Sequence, residues 1–209
     1  VQATSVITPL SSSINYLQIG EMISSSTGNV FSIASGGWST PGTWSETSGG
    51  PSCSCLPTSL DNVIIENNFI VTMNSIGTVK SLTIQTGGRA NWSSALTTNI
   101  GSGGINITST GDITGSANGI LTTTGGLILD KVLTSTSVTI KTQAVAGQTI
   151  TGTGTLAKLD ISANTTNNGT ITVTNSLISS VSSTLTQGAS ATLTYTGTAA
   201  ITTTLDAST

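Results

Sequence analysis

Between residues 82 and 195, short runs that alternate apolar residues with Thr, Asn or Ser keep returning: Leu82-Thr-Ile84, Ile105-Asn-Ile107, Leu127-Ile-Leu129, Ile150, Ile171-Thr-Val173 and Leu193-Thr-Tyr195. Their first residues, 82, 105, 127, 150, 171 and 193, are 21 to 23 apart. A steady period of this size is the mark of stacked repeat units. Two-residue alternation is the period of a strand with one buried face. Turn-forming residues fill the gaps, among them Gly87-Gly88, Gly101-Ser-Gly103-Gly104, Gly125-Gly126 and Asn167-Asn168-Gly169. The pattern predicts an all-β chain wound as a parallel β-helix of about 22 residues per coil, with small apolar side chains inside. The crossover rule makes the expected path right-handed.

Upstream the runs crowd together. Val63-Ile-Ile65, residues 69–73 and residues 79–84 follow one another across turns at Asn67-Asn68 and Asn74-Ser75. Three short strands with corners between them make one coil of a three-sided helix. Residues 45–59 are rich in Gly, Ser and Pro and are expected to form a loop inserted into the pattern. Residues 1–30 lack the Thr-rich alternation, and 14–23 are their most apolar part. A solenoid end must be covered to remain soluble, so this segment is expected to cap the first coil or to meet another subunit, with a flexible leader as the alternative. The domain reading is therefore a segment 1–30 and a single β-helix over 31–209.

One stretch resembles known proteins. Gly37-Trp38, Thr43-Trp44, Pro57, Asp61-Asn-Val63-Ile-Ile65, Val71-Thr72, Val79-Lys-Ser-Leu82-Thr-Ile84 and Gly87-Gly88 follow the order seen at the start of β-helix modules. Such modules occur in large surface adhesins and secreted proteins of Bacteroidetes-type bacteria, and residues 152–180 are similar to their later coils. The insertion from Ser45 to Leu56 is longer than in those modules. The resemblance covers roughly residues 36–197 and implies a secreted or cell-surface protein.

Charge narrows the partner classes. The chain has 209 residues, of which 6% are charged, and a formal net charge of -3. Lys80, Arg89, Lys131, Lys141 and Lys158 are its only cations and lie scattered. They cannot neutralise a row of phosphates, so nucleic acid is excluded as a partner. No apolar run nears the roughly 18 residues of a membrane helix, so no membrane insertion is expected.

Candidate chemistry is sparse. The absence of histidine removes the Ser-His-Asp class and the commonest general base. Catalytic carboxylates work in clusters, yet Asp112, Asp130 and Asp160 do not fall at equivalent positions of a 22-residue coil. Asp130-Lys131 is expected to be a solvated pair. No catalytic residue, cofactor or enzymatic activity is expected. Cys53 and Cys55 read as a small loop disulfide, with free thiols or half of a shared metal site as alternatives. Zinc wants four ligands, which this chain alone does not offer, so no metal is expected. Trp38 and Trp44, with Trp92, are candidates for stacking on sugar rings. Indoles that plug the apolar end of the first coil are the favoured reading for the first two. Asn91, Asn106, Asn164 and Asn168 begin N-x-[ST] sequons and are candidate glycosylation sites.

Threonine pairs suggest one further possibility. Thr149-Ile-Thr151, Thr151-Gly-Thr153, Thr170-Ile-Thr172 and Thr192-Leu-Thr194 could order water and bind ice if they stacked. On a fixed coil length they shift between faces, and Asn, Ser and Lys interrupt the columns. Outward Thr is also what a polar β-face uses. The expected function is thus a non-catalytic structural or adhesive extracellular β-helix, the building block of a surface fibre, filament or adhesin. Its partners would be further chain or other copies at the helix ends, where unpaired strand edges invite pairing, and surface glycans. A carbohydrate-binding or polysaccharide-cleaving β-helix is the first alternative, and an ice-binding protein the second.

Overall fold

The computed structural model describes residues 28–143, 145, 147–179, 182–198 and 204–207. Residues 1–27, which hold nearly all of the expected cap, lie outside the described residues. What is described is a β-solenoid with three faces, traced here in chain order. Strand β1 (Asn29–Ser32) opens the first face and β2 (Gly36–Gly37) the second. A 3-10 turn at Pro41–Thr43 leads into β3 (Trp44–Ser45), which doubles back antiparallel on β1. After a loop, β4 (Asn62–Ile65) returns to the first face and β5 (Ile70–Thr72) to the second.

From there the coils become regular. β6 (Gly77–Ile84) runs along the third face, turns at Lys80 and continues as the first face of the next coil. β7 (Arg89–Asn91) is second-face, and β8 (Thr97–Ile107) repeats the double run of β6. β9 (Asp112–Thr114), β10 (Ile120–Thr123) and β11 (Leu127–Leu129) follow on the second, third and first faces. Residues 131–135 cross the second face without forming a strand. β12 (Thr139–Gln143) is third-face and β13 (Gln148–Thr151) first-face. β14 (Thr153–Ser162) covers the second and third faces, β15 (Thr165–Asn167) the first, and β16 (Thr170–Ser179) again the second and third. β17 (Thr184–Gln187), β18 (Thr192–Tyr195) and β19 (Thr204–Ala207) supply the first, second and first faces of the last coils.

Among the described residues every strand pairing except β1 with β3 is parallel. The parallel β-helix read from the alternation is therefore the fold, with about six turns. The coil length is not constant, however. The inward column of the first face is Val63, Leu82, Ile105, Leu127, Ile150, Asn167 and Gln187, so successive coils take between 17 and 23 residues. Four of the six runs found in the sequence (82, 105, 127, 150) are one column. Ile171 and Leu193 are not in it. They stack on Gly154, one face further round. The steady 22-residue interval thus jumps faces after Ile150, because the next coil is shorter by several residues. The glycine run from Gly101 to Gly103 lies within β8 at the corner between its two faces, opposite Lys80 of β6.

The core is a column of apolar side chains. Ile65, Ile84, Ile107 and Leu129 line one first-face track, all fully buried. The third face adds Leu121, Ile140, Leu159 and Leu177. At the N-terminal end, Trp44 is 0% exposed and its ring meets Trp38 edge-on at 5.4 Å. Trp44 Nε1 donates to the carbonyl of Trp38 at 2.9 Å, which satisfies the indole as it is buried. The described covering of the first coil is therefore Trp38 together with β3 and its Trp44, which stand just before the insertion. Asn29–Ser32 belongs to the stack as its first rung, so a boundary drawn at residue 30 cuts a strand.

Toward the C-terminus the column changes character. The first-face positions after Ile150 are Asn167 and Gln187. Asn167 is 1% exposed and donates from Nδ2 to Gln187 Oε1 at 2.9 Å and to the Thr192 carbonyl at 3.2 Å. Its Oδ1 accepts from Gly169 N at 3.0 Å. Buried polar groups persist when their bonds are made inside the protein, and here they are.

Candidate functional site: a threonine array on the second face

The outer second face of the last coils carries a regular pattern. Thr153 pairs with Thr170 and Thr170 with Thr192; Thr155 pairs with Thr172 and Thr172 with Thr194. Three Thr-x-Thr segments therefore stack in register as two columns. Neighbouring rungs lie about 4.8 Å apart and alternate residues about 6.6 Å apart. The residues between them point inward: Gly154, Ile171 and Leu193. Gly154 is required there, because a Cβ would come within 2.4 Å of Leu129 Cγ.

The threonine pairs do divide between faces, as expected, but part of the set comes into register. Thr170-Ile-Thr172 and Thr192-Leu-Thr194 share one face, and their partner is Thr153-Gly-Thr155. Thr149-Ile-Thr151 lies on the first face, in β13. The steps from 155 to 172 and from 172 to 194 are 17 and 22 residues. A count by a fixed coil length misses the alignment for that reason.

None of the six array hydroxyls takes part in a hydrogen bond within the described residues. Some threonines elsewhere are engaged. Thr134 Oγ1 donates to Asp112 at 2.8 Å, Thr122 Oγ1 to Asn99 at 2.9 Å and Thr114 Oγ1 to Asn91 at 3.1 Å. The array bears no charge. Its N-terminal border is Asp130, whose Oδ1 accepts from Thr153 N at 3.2 Å, and Val132, which is 64% exposed and stacks against Thr155.

A second feature lies on the first face. Gly103, Gly104 and Gly126 floor an open groove of about 330 Å³ walled by Ser81, Thr83, Asn106, Ile128, Thr149 and Thr151. Gly104 has φ +75°, and a Cβ there would stand 2.4 Å from the Gly126 carbonyl oxygen. The close approach of two backbones requires glycine, and the missing side chains leave the groove. In the sequence these glycines look like ordinary turn residues.

The other candidates are dispersed. Trp38, Trp44 and Trp92 are 3%, 0% and 0% exposed, so none presents a ring to a sugar and the stacking reading falls. Trp92 is held inside the second face, where a Cβ on Gly119 would be 1.9 Å from its Cδ1. Cys53 and Cys55 are joined as a disulfide, with Cα atoms 5.1 Å apart, and Ser54 between them takes φ 54°. Of the sequons, Asn164 and Asn168 are exposed, while Asn91 and Asn106 sit half-buried within strands. Asn164 Oδ1 accepts from Thr184 N at 3.0 Å.

Asp130 and Lys131 do not pair as a neighbouring couple. Lys131 Nζ reaches 3.8 Å from Asp112, one coil away, and Asp130 turns to the Thr153 amide. Asp130 sits at the corner that follows β11 and Lys131 in the strandless stretch after it, so the chain bends between them. Lys141 pairs with Asp160 at 2.9 Å on the third face. Asp112 lies on the second face, Asp130 at a corner and Asp160 on the third. Among the described residues no three Asp, Glu or Cys groups gather as a metal site would require. No helix of the described residues is long and apolar enough to cross a membrane. No family model, no curated protein and no solved structure matches this chain.

Proposed function

We propose that the protein is a non-catalytic structural and adhesive module of a cell-surface or secreted assembly. The observation that supports this most is the continuity of the parallel ladder. Main-chain hydrogen bonds run from coil to coil along the axis, giving a stiff rod whose outer faces are largely uncharged. The resemblance of residues 36–197 to surface β-helix modules points the same way. The ladder holds to the last described strands, where β18 pairs with β16 and β19 with β17, and association of copies end to end would extend the rod. Negative-stain imaging of the purified protein, with antibody labelling of intact source cells, tests the reading. Filaments and surface label are expected. Discrete particles confined to the cytosol would sink it.

A carbohydrate reading keeps one specific support, the first-face groove. Its walls offer hydroxyls and the Asn106 amide, the donors and acceptors that a neutral sugar matches. Glycan-array binding that disappears in Asn106→Ala, with the circular dichroism spectrum unchanged, is the expected result under that reading. Binding unaffected by the change would place any sugar elsewhere.

A further inference from the structure

We propose that the second-face array formed by Thr153, Thr155, Thr170, Thr172, Thr192 and Thr194 is an ice-binding surface. The inference goes beyond the structural role and does not depend on it.

Three properties of the array converge. First, it is periodic in two directions. The strand sets one spacing and the coil sets the other, and the register holds without interruption over three rungs. Second, none of its hydroxyls is engaged by another group among the described residues, so all six are left to face solvent. Each hydroxyl is a donor with two acceptor positions, so six such groups at regular spacing present a repeating template to first-layer water. Third, the groups are stiff. Threonine is β-branched and has few χ1 choices, and Ile171 and Val173 fix the strands from inside at 1% and 0% exposure. Little side-chain entropy remains to be lost when water becomes ordered over them.

The ligand class follows from what the surface lacks. It has no cavity for a small molecule and no charge for an ion or a charged polymer. Methyl groups alternate with hydroxyls, so it is half apolar and half hydrogen-bonding. A neutral, periodic surface of this kind complements a partner that is itself neutral and periodic, and a crystal face of water meets that description. Exposed Val132 beside Thr155 continues the apolar part of the pattern by one rung. Thr174 and Thr196 widen the last two rungs, aligned by the Thr196 N to Val173 O bond of 3.0 Å.

The test uses the full chain, fluorescently labelled, in an ice-recrystallisation assay and in adsorption to a growing ice hemisphere. The unaltered protein is expected to restrain recrystallisation and to enter the ice. Thr172→Lys and Thr194→Lys place a long cation at the centre and at the end of the array, with their side chains outside the core, and are expected to lose both effects. Thr78→Lys makes the same change at an exposed site on the third face and is expected to retain them. Thermal melts of all three variants establish that each is folded. An unaltered protein that neither restrains recrystallisation nor enters ice overturns the proposal. So does an equal loss in folded Thr78→Lys, because the activity would then not belong to this face.

Discussion

Trp44 is the residue on which the N-terminal end depends. It is fully buried, closes on Trp38 and donates to that residue's carbonyl. Trp44→Ala should cost about 3–5 kcal/mol in urea unfolding, the range for losing a large aromatic from a core. The Trp38–Trp44 coupling in a double-mutant cycle should be about 0.5–1.5 kcal/mol. A coupling near zero would mean that the two rings are neighbours without being partners. Asp112 makes a different point about charge. It is 4% exposed and accepts from Thr134 N at 3.0 Å and Thr134 Oγ1 at 2.8 Å, whereas Lys131 stands 3.8 Å away. The hydrogen bonds should outweigh the ion pair. Asp112→Ala is expected to cost about 1–3 kcal/mol by stranding its donors, and Lys131→Met less than about 1 kcal/mol. Equal losses in denaturant melts would reverse that ranking. The plugging role of Trp44 was legible in the sequence, beside Trp38 six residues away, whereas that of Asp112 was not, since its partner comes from another coil.

At the scale of the element, the insertion after β3 acts as a lid. Two features hold it: the Trp44 side chain, and the Cys53–Cys55 ring across a single residue. The chain-entropy relation gives a ring of three residues only about 1.6 kcal/mol. The double change Cys53→Ser with Cys55→Ser should therefore leave the near-ultraviolet signal of the buried indoles intact and lower the melting temperature only modestly. Loss of that signal would mean that the disulfide, and not Trp44, seats the lid. The elements also mark where reading the sequence succeeded. Alternation identified strands at Leu82, Ile105 and Leu127 because each is half-buried. It passed over β8 between Ile100 and Ile105, because a glycine run has no side chains from which a period can be read. The close contact between Gly104 and Gly126 that demands those glycines lies between coils.

Across the whole molecule, the core is uneven. The first coils are filled by Trp44, Met73, Trp92 and isoleucines, whereas the last place Asn167 and Gln187 on the same inward track. Because a solenoid's stability is a sum of local coil and interface contributions, opening should begin where the apolar filling is thinnest. Hydrogen exchange should be slower in β4, β6 and β8 than in β15 and β17, and a graded pattern is expected in place of a single global value. Uniform protection from end to end would contradict this and would indicate that the Asn167–Gln187 bonds stabilise as strongly as buried isoleucine.

Local chemistry was enough to specify strands, corners, a repeating coil and a core of small aliphatic residues. Side-chain period and turn chemistry are properties of neighbouring residues and can be read along one dimension. Which residues stack is a property of the distance round each coil, and that distance varies from 17 to 23 residues. For this reason the alignment of Thr153, Thr170 and Thr192, the passage of the 22-residue interval from one face to the next, and the burial of Trp92 became visible only once the chain was wound. The face a side chain occupies depends on every corner before it, and no single stretch of sequence carries that sum.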